Sequence, residues 1–239
     1  MAARQSGRSK HTNGVLQVSA PQPAPRQRRK EARPGELLAA ALDVFVEKGF
    51  AAARLDEIAQ RAGVSKGTLY LYFESKEALL KAVVQESMVP LIAEGEDLAA
   101  QAASDPAATL QHLVTRWWRE IGSTKLGGIP KLVMAEAGNF PEVAQFFFEN
   151  VVLRGQALFR RVAETGIAQG VFRPCEPMLI CDLAIKPLIF NHMWCQSFAH
   201  CDTSAIDPEV YLHAHLDVLL NGLLTHPHPT SPLPEHPQK

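Results

Sequence analysis

Residues 65–76 read Ser-Lys-Gly-Thr-Leu-Tyr-Leu-Tyr-Phe-Glu-Ser-Lys. Ser65, Thr68, Tyr70 and Tyr72 bring hydroxyl donors, and Lys66 and Lys76 bring cations. Gly67 lets backbone approach a ligand closely. Such a set suits phosphate oxygens and base edges, which are met by short donors, amines and phenols. Elsewhere the sequence has no nucleophile elbow, P-loop, dinucleotide-binding glycines or metalloprotease motif. No catalytic residue, metal site or cofactor is expected, and the protein is not expected to be an enzyme.

The same stretch poses a structural question. Leu69, Leu71 and Phe73 alternate with Tyr70 and Tyr72, the period of a half-buried strand. A helix explains more. Ser65 is an N-cap candidate, Leu69 and Phe73 fall at i, i+4, and the hydroxyls share another face. A lone five-residue strand would also lack a partner. The spacing therefore predicts a short helix over 65–72. Leu71 is left either exposed or against a thymine methyl.

The surrounding elements read the same way. Leu38, Ala41, Leu42, Phe45 and Val46 make an apolar stripe on a first helix, with Pro34 near its start and Gly49 just past its end. Leu55, Ile58, Ala59 and Ala62 line a second, with Asp56 and Glu57 in its first turn and Gly63 after its end. Ser75 caps a longer helix through Leu79, Leu80, Val83, Val84 and Met88. Helices are also expected over 106–122, 128–137, 141–170, 177–199 and 207–224, with Pro187 breaking or kinking the fourth of these. Two helices joined by a tight glycine turn form a helix-turn-helix, whose second helix enters the major groove.

At this point the segment 45–84 resembles the DNA-binding domain of the tetracycline-repressor (TetR) family of transcriptional regulators. That resemblance covers 34–84. It implies an all-α protein of about nine helices, with an N-terminal three-helix helix-turn-helix domain and a C-terminal helical domain for ligand binding and dimerisation. It implies a homodimer on a double-stranded DNA operator, released by a small-molecule effector. Carried over position by position, Ser65, Lys66, Gly67, Thr68, Tyr70, Tyr72 and Lys76 match DNA-contacting positions. Ala53 departs from the family, which has Thr there to cap the second helix and touch phosphate. Arg54 could supply the phosphate contact instead, or simply be solvated.

Composition bounds the rest. Of 239 residues, 46% are hydrophobic and 21% charged, which allows a sizeable core. No apolar run reads as long enough to span a bilayer, and the N-terminus lacks the apolar segment of a secretory signal; a cytoplasmic protein is expected. Residues 1–33 carry a net charge of +7 and residues 84–239 a net of −7. The divisions expected are a disordered basic tail (1–33), the DNA-binding domain (34–84), a ligand-binding and dimerisation domain (85–225) and a disordered Pro/His tail (226–239).

For the effector, the expectation is a largely apolar pocket drawing on Trp117, Trp118, Met134, Phe147, Phe190, His192, Met193 and Trp194. Arg116, Glu136, His192 and Gln196 are candidate polar groups. Phe146, Phe147 and Phe148 cannot all face one way on a helix. The resemblance assigns dimerisation to the last two helices. There Leu179, Leu183, Pro187, Phe190 and Trp194 form one apolar line, and Leu212, Leu216, Leu219 and Leu223 another. Two alternatives stand beside the apolar effector. One is metal or thiol-redox sensing through the Cys and His residues of 175–201, including His192, Cys195, His200 and Cys201. The other is DNA binding without a ligand.

Overall fold

A computed structural model describes residues 28–100, 103–198, 200–201 and 206–226. The described chain is helical. Its elements are α1 (Arg28–Lys48), α2 (Leu55–Arg61), α3 (Lys66–Tyr70), α4 (Lys76–Ser87), α5 (Val89–Ala99) and α6 (Pro106–Trp117). A π turn (Trp118–Gly122) and a 3-10 turn (Lys125–Gly127) lead to α7 (Gly128–Glu136) and α8 (Pro141–Phe147). A second π turn (Phe148–Val152) continues into α9 (Leu153–Ala168), followed by α10 (Pro177–Phe198) and α11 (Pro208–Leu223). Only Met88 separates α4 from α5, and only the π turn separates α8 from α9, so the eleven segments reduce to the nine helices expected. Among the described residues the only β pairing is an isolated bridge between Phe172 and Leu224.

Several boundaries differ from expectation. Helix α1 begins at Arg28, with Pro34 inside it, so 28–33 are helical; the tails before residue 28 and after 226 lie outside the described residues. Its buried stripe is Leu37, Ala40, Ala41, Val44 and Phe45, with Leu38 and Leu42 at the edge. Helix α3 closes after one turn, and Leu71 caps it. Helix α10 runs through Pro187 without a break. It is also long and apolar enough to cross a membrane, by length and composition alone, where no such run was expected. Ile180, Cys181, Ala184 and Leu188 instead seat one face of it in the core.

Caps explain where the elements start. Ser75 Oγ accepts from the amide of Ala78, Asp105 from that of Ala108, and Asp207 from those of Glu209 and Val210. Each satisfies amides that the first helical turn leaves unpaired.

Two apolar clusters form the interior. The first joins α1–α4 to Ile121, to Ile129, Leu132 and Val133 of α7, and to Val143 and Phe147 of α8. The second joins α5, α6, α9, α10 and α11 around Leu110, Trp118, Val162, Phe172 and Leu188. The division of the core thus does not follow the break after residue 84, because α7 and α8 pack with the N-terminal helices. A Cβ on Gly128 would lie 3.0 Å from Val46, so α7 abuts α1 closely. Lys125 pairs with Asp43 at 2.5 Å, and Glu136 accepts from the amide of Ala51 at 3.3 Å.

Candidate nucleic-acid interface and effector cavity

The α2–α3 pair is held from behind. Ile58 and Ala59 bury one face of α2, and Leu69, fully buried, anchors α3. Gly63 adopts φ +67°, a conformation in which a Cβ is costly, and the amides of Gly63 and Val64 return to Gln60 and Ala59. Arg61 grips both carboxylate oxygens of Glu47 at 2.6 and 2.8 Å, and Lys48 pairs with Glu57 at 2.8 Å. The Arg61 hydrogen bond holds the Glu47 carboxyl below its ordinary range and raises the guanidinium above its own. These are exposed pairs that fix orientation more than they add stability.

On the outer side, Ser65, Lys66, Gly67, Tyr70, Leu71 and Tyr72 are exposed, and Thr68 is half-buried. Ser65 Oγ accepts from the Thr68 amide at 3.1 Å and lies 2.9 Å from its hydroxyl, so the helix start is built by its own candidate contacts. Lys66 pairs with Asp56 of α2 at 2.7 Å, and this hydrogen bond raises its pKa. Its ammonium also lies 5.9 Å from the Tyr70 ring centroid. Arg54 is exposed at the N-cap position of α2 and makes no side-chain cap there, while Ala53 is buried.

Lys76 corrects the expectation. Its ammonium donates to the carbonyls of Phe50, Ala51 and Ala53 at 2.6, 3.1 and 3.3 Å and sits 4.6 Å from the Phe50 ring centroid. An ammonium has three N–H groups, and here all three point at the α1–α2 turn. Lys76 holds the turn that positions Arg54 rather than facing a phosphate. Sequence gave no sign of this, since the carbonyls lie more than twenty residues upstream. Leu71, left open by the sequence, is 84% exposed between the two tyrosines.

A cavity of about 80 Å³ opens between α5, α6, α9 and the two π turns. Its walls include Ile92, Leu113, Trp117, Ile121, Val151 and Leu158, with Arg116 and Glu120 on its polar side. Of the expected pocket residues Trp117 lines it, and of the candidate polar groups Arg116 does. Trp118 points the other way into the second cluster and donates to Glu209 at 3.1 Å. Phe147 is buried in the first cluster, and Met134 is 63% exposed on α7. Phe190 and Trp194 lie on the outer line of α10, with ring centroids 5.9 Å apart. Met193 is half-buried. His192 is half-buried too, and its Nε2 abuts Gly127, enclosed without a partner; burial and then Lys131 lower its pKa. Neighbours at 117 and 118, or along α10, diverge by about 100° per residue, so few of them can share one cavity.

The dimer lines also separate. Leu179, Leu183, Phe190 and Trp194 are each 45–63% exposed. The α11 leucines 212, 216, 219 and 223 are instead buried in their own second cluster. Among the described residues no group of three or more His, Cys, Asp or Glu could hold a metal. Burial pushes the Cys181 thiol up to about 11, away from thiolate reactivity.

Comparison with known proteins adds the following. The pattern defining bacterial regulatory proteins of the tetR family matches residues 37–83, and that of the AefR-like transcriptional repressor C-terminal domain matches 108–186. The transcriptional activator FasR of Mycolicibacterium smegmatis is 51% identical over 63 residues, 26% of this chain and 29% of FasR. The transcriptional regulator RutR of Escherichia coli K12 is 43% identical over 95 residues, 38% of this chain and 45% of RutR. The matches thus span less than half the length of these two relatives. The crystal structure of FadR from Bacillus subtilis, in complex with stearoyl-CoA, superposes with a TM-score of 0.65 at 20% identity, covering 79% of this chain and 98% of FadR; that likeness concerns the fold.

Proposed function

Since the chain belongs to the tetR family of bacterial transcriptional regulators, we propose that it is a repressor whose operator affinity is lowered by a small, largely apolar effector. The observation that carries this reading is the outer side of α3. A buried Leu69 anchors a one-turn helix whose Ser65, Lys66, Gly67, Tyr70, Leu71 and Tyr72 all face solvent. The hydroxyls and Lys66 meet phosphates, which fix register, and the tyrosine rings lie on the sugar edge. Arg54 adds a phosphate contact beside them.

The protein works as a cytoplasmic homodimer. The exposed α10 line of Leu179, Leu183, Phe190 and Trp194 supplies the interface, and a two-fold axis sets the two α3 helices against half-sites one DNA turn apart. The α11 leucines support α10 from within.

The effector occupies the cavity by α5, α6 and α9. Trp117 and Val151 pack against both apolar clusters, and Ile121 belongs to the cluster that holds the helix-turn-helix. A ligand that displaces these walls shifts one cluster against the other. Only such differential contact can move an equilibrium between two states. The small size of the cavity supports a second reading, DNA binding without an effector.

Fluorescence anisotropy of the full chain on its own promoter DNA and on a scrambled duplex tests the regulator reading. Specific binding that falls steeply with salt is expected, because phosphate contacts release counterions. Equal weak affinity for both duplexes overturns it.

A further inference from the structure

Two consecutive glycines, Gly127 and Gly128, lie buried where the 3-10 turn passes into α7. Their backbone angles are φ −59°, ψ −19° and φ −74°, ψ −21°, ordinary right-handed helical values. Any residue adopts these, so conformational freedom does not call for glycine at either position. Close approach does. A Cβ on Gly127 would lie 2.6 Å from the Gly122 carbonyl oxygen and 2.7 Å from Nε2 of His192 on α10. A Cβ on Gly128 would lie 3.0 Å from both methyl carbons of Val46 on α1. Carbon atoms in contact rest about 3.5–4.0 Å apart, so each missing side chain lets one helix close on the turn.

The two helices belong to different parts of the molecule. Helix α1 is part of the DNA-binding head, since its Leu37, Val44 and Phe45 share a cluster with Ile58 of α2 and Leu69 of α3. The turn is fastened to that head by the Lys125–Asp43 ion pair at 2.5 Å, and α7 by Ile129, Leu132 and Val133 in the same cluster. Helix α10 carries the line assigned above to the dimer interface. His192 stands one turn beyond Leu188, on the face that α10 seats in the core. Its Nε2 is enclosed without a hydrogen-bond partner, so the ring acts on Gly127 through its shape.

We propose that Gly127 and Gly128 form a spacer of least thickness that sets the stand-off between the dimer helix and the DNA-binding head, which makes them and His192 positioning residues for operator recognition. This rests on the regulator and dimer readings above. Two heads mounted on paired helices meet two half-sites at one separation and tilt. A side chain at 128 moves each head, and a binding constellation must be held to within about 0.5 Å. Contacts to base edges depend on that placement, whereas attraction to phosphates carries no sequence information.

The test measures anisotropy of full-length Gly128→Val on promoter DNA and on a scrambled duplex at low temperature, with light scattering and far-UV helicity as controls. Promoter affinity is expected to fall about tenfold, with scrambled-DNA affinity, mass and helicity unchanged. Adding Val46→Ala makes room for the new side chain and should bring promoter affinity back to within about threefold of wild type. Should Gly128→Val misfold, His192→Ala takes its place, expected to cost about threefold on the promoter alone because the ring no longer holds α10 off Gly127. Wild-type promoter affinity in the folded variant overturns the proposal, as does an equal loss on both duplexes or a double variant no better than Gly128→Val. If the wild-type protein is a specific, dimeric binder and the variants match it, the spacer alone is wrong. If the wild-type protein is monomeric or binds both duplexes equally, the dimer or regulator reading has failed and the proposal falls with it.

Discussion

Two regions of this molecule expose large apolar side chains, and they do so differently. On α3 and the residues that flank it, Tyr70, Leu71 and Tyr72 stand beside Ser65, Lys66 and Thr68 within eight residues. On α10, Leu179, Leu183, Phe190, Trp194 and Phe198 run along 20 residues, and the Trp194 and Phe198 rings lie 4.5 Å apart. The first surface sets Leu71 between two rings that each carry a hydroxyl. That suits a wet, charged partner with hydrophobic patches, which describes a DNA groove. Along the second, only the Trp194 indole among these five side chains carries a polar group, and the line suits a surface like itself. Exposure alone does not tell binding modes apart; what surrounds the exposed carbon does.

The largest test of this contrast falls on α10. Trp194→Glu with Phe190→Glu should convert the proposed dimer to a monomer by light scattering and weaken operator binding about 100-fold, since two linked half-sites bind far more tightly than one. An unchanged mass would remove the line from the interface. Next is Lys76→Met, which should cost about 2 kcal/mol in denaturant unfolding, because charged hydrogen bonds to carbonyls are lost. The salt slope of DNA binding should not change. A slope reduced by about one would return Lys76 to the phosphate contacts.

Smaller effects follow on α3. Lys66→Ala and Tyr72→Ala should each weaken operator binding about tenfold with helicity intact, and Lys66→Ala should also flatten the salt slope by about one. Wild-type affinity in either would reassign that residue. Smallest is Leu71→Ala, expected to cost about fourfold on the operator, the worth of roughly one buried methylene at ~0.8 kcal/mol. The loss should be absent on scrambled DNA. Equal loss on both duplexes would make Leu71 a general contact and blunt the contrast with α10.

What the sequence made legible tracks how local each cause is. Ser65, Gly63 and Ser75 act within three or four residues, so the helix-turn-helix could be read directly. Lys76 could not, because its carbonyl partners come from the α1–α2 turn and only the fold brings them near. The cavity needs side chains from α5, α6, α9 and both π turns, and sequence cannot say which of Trp117 and Trp118 turns toward it. The α11 leucines had the period of an interface and the fate of a core, since periodicity reports that a face is covered and not by whom.

The two π turns have a consequence for how this helical domain can change over time. A π turn closes its hydrogen bonds one residue later than an α-helix does, so each acts as a local insertion absorbed without breaking the rod. Removing one residue from 118–122 or from 148–152 would restore the ordinary hydrogen-bond register and re-aim the side chains within the turn, with the chain beyond it close to its present phase. Trp117 precedes one turn, Ile121 lies within it, and Val151 lies in the other. A single-codon deletion would therefore change the cavity at Glu120 and Ile121, or at Val151, while the walls on α5, α6 and α9 keep their places.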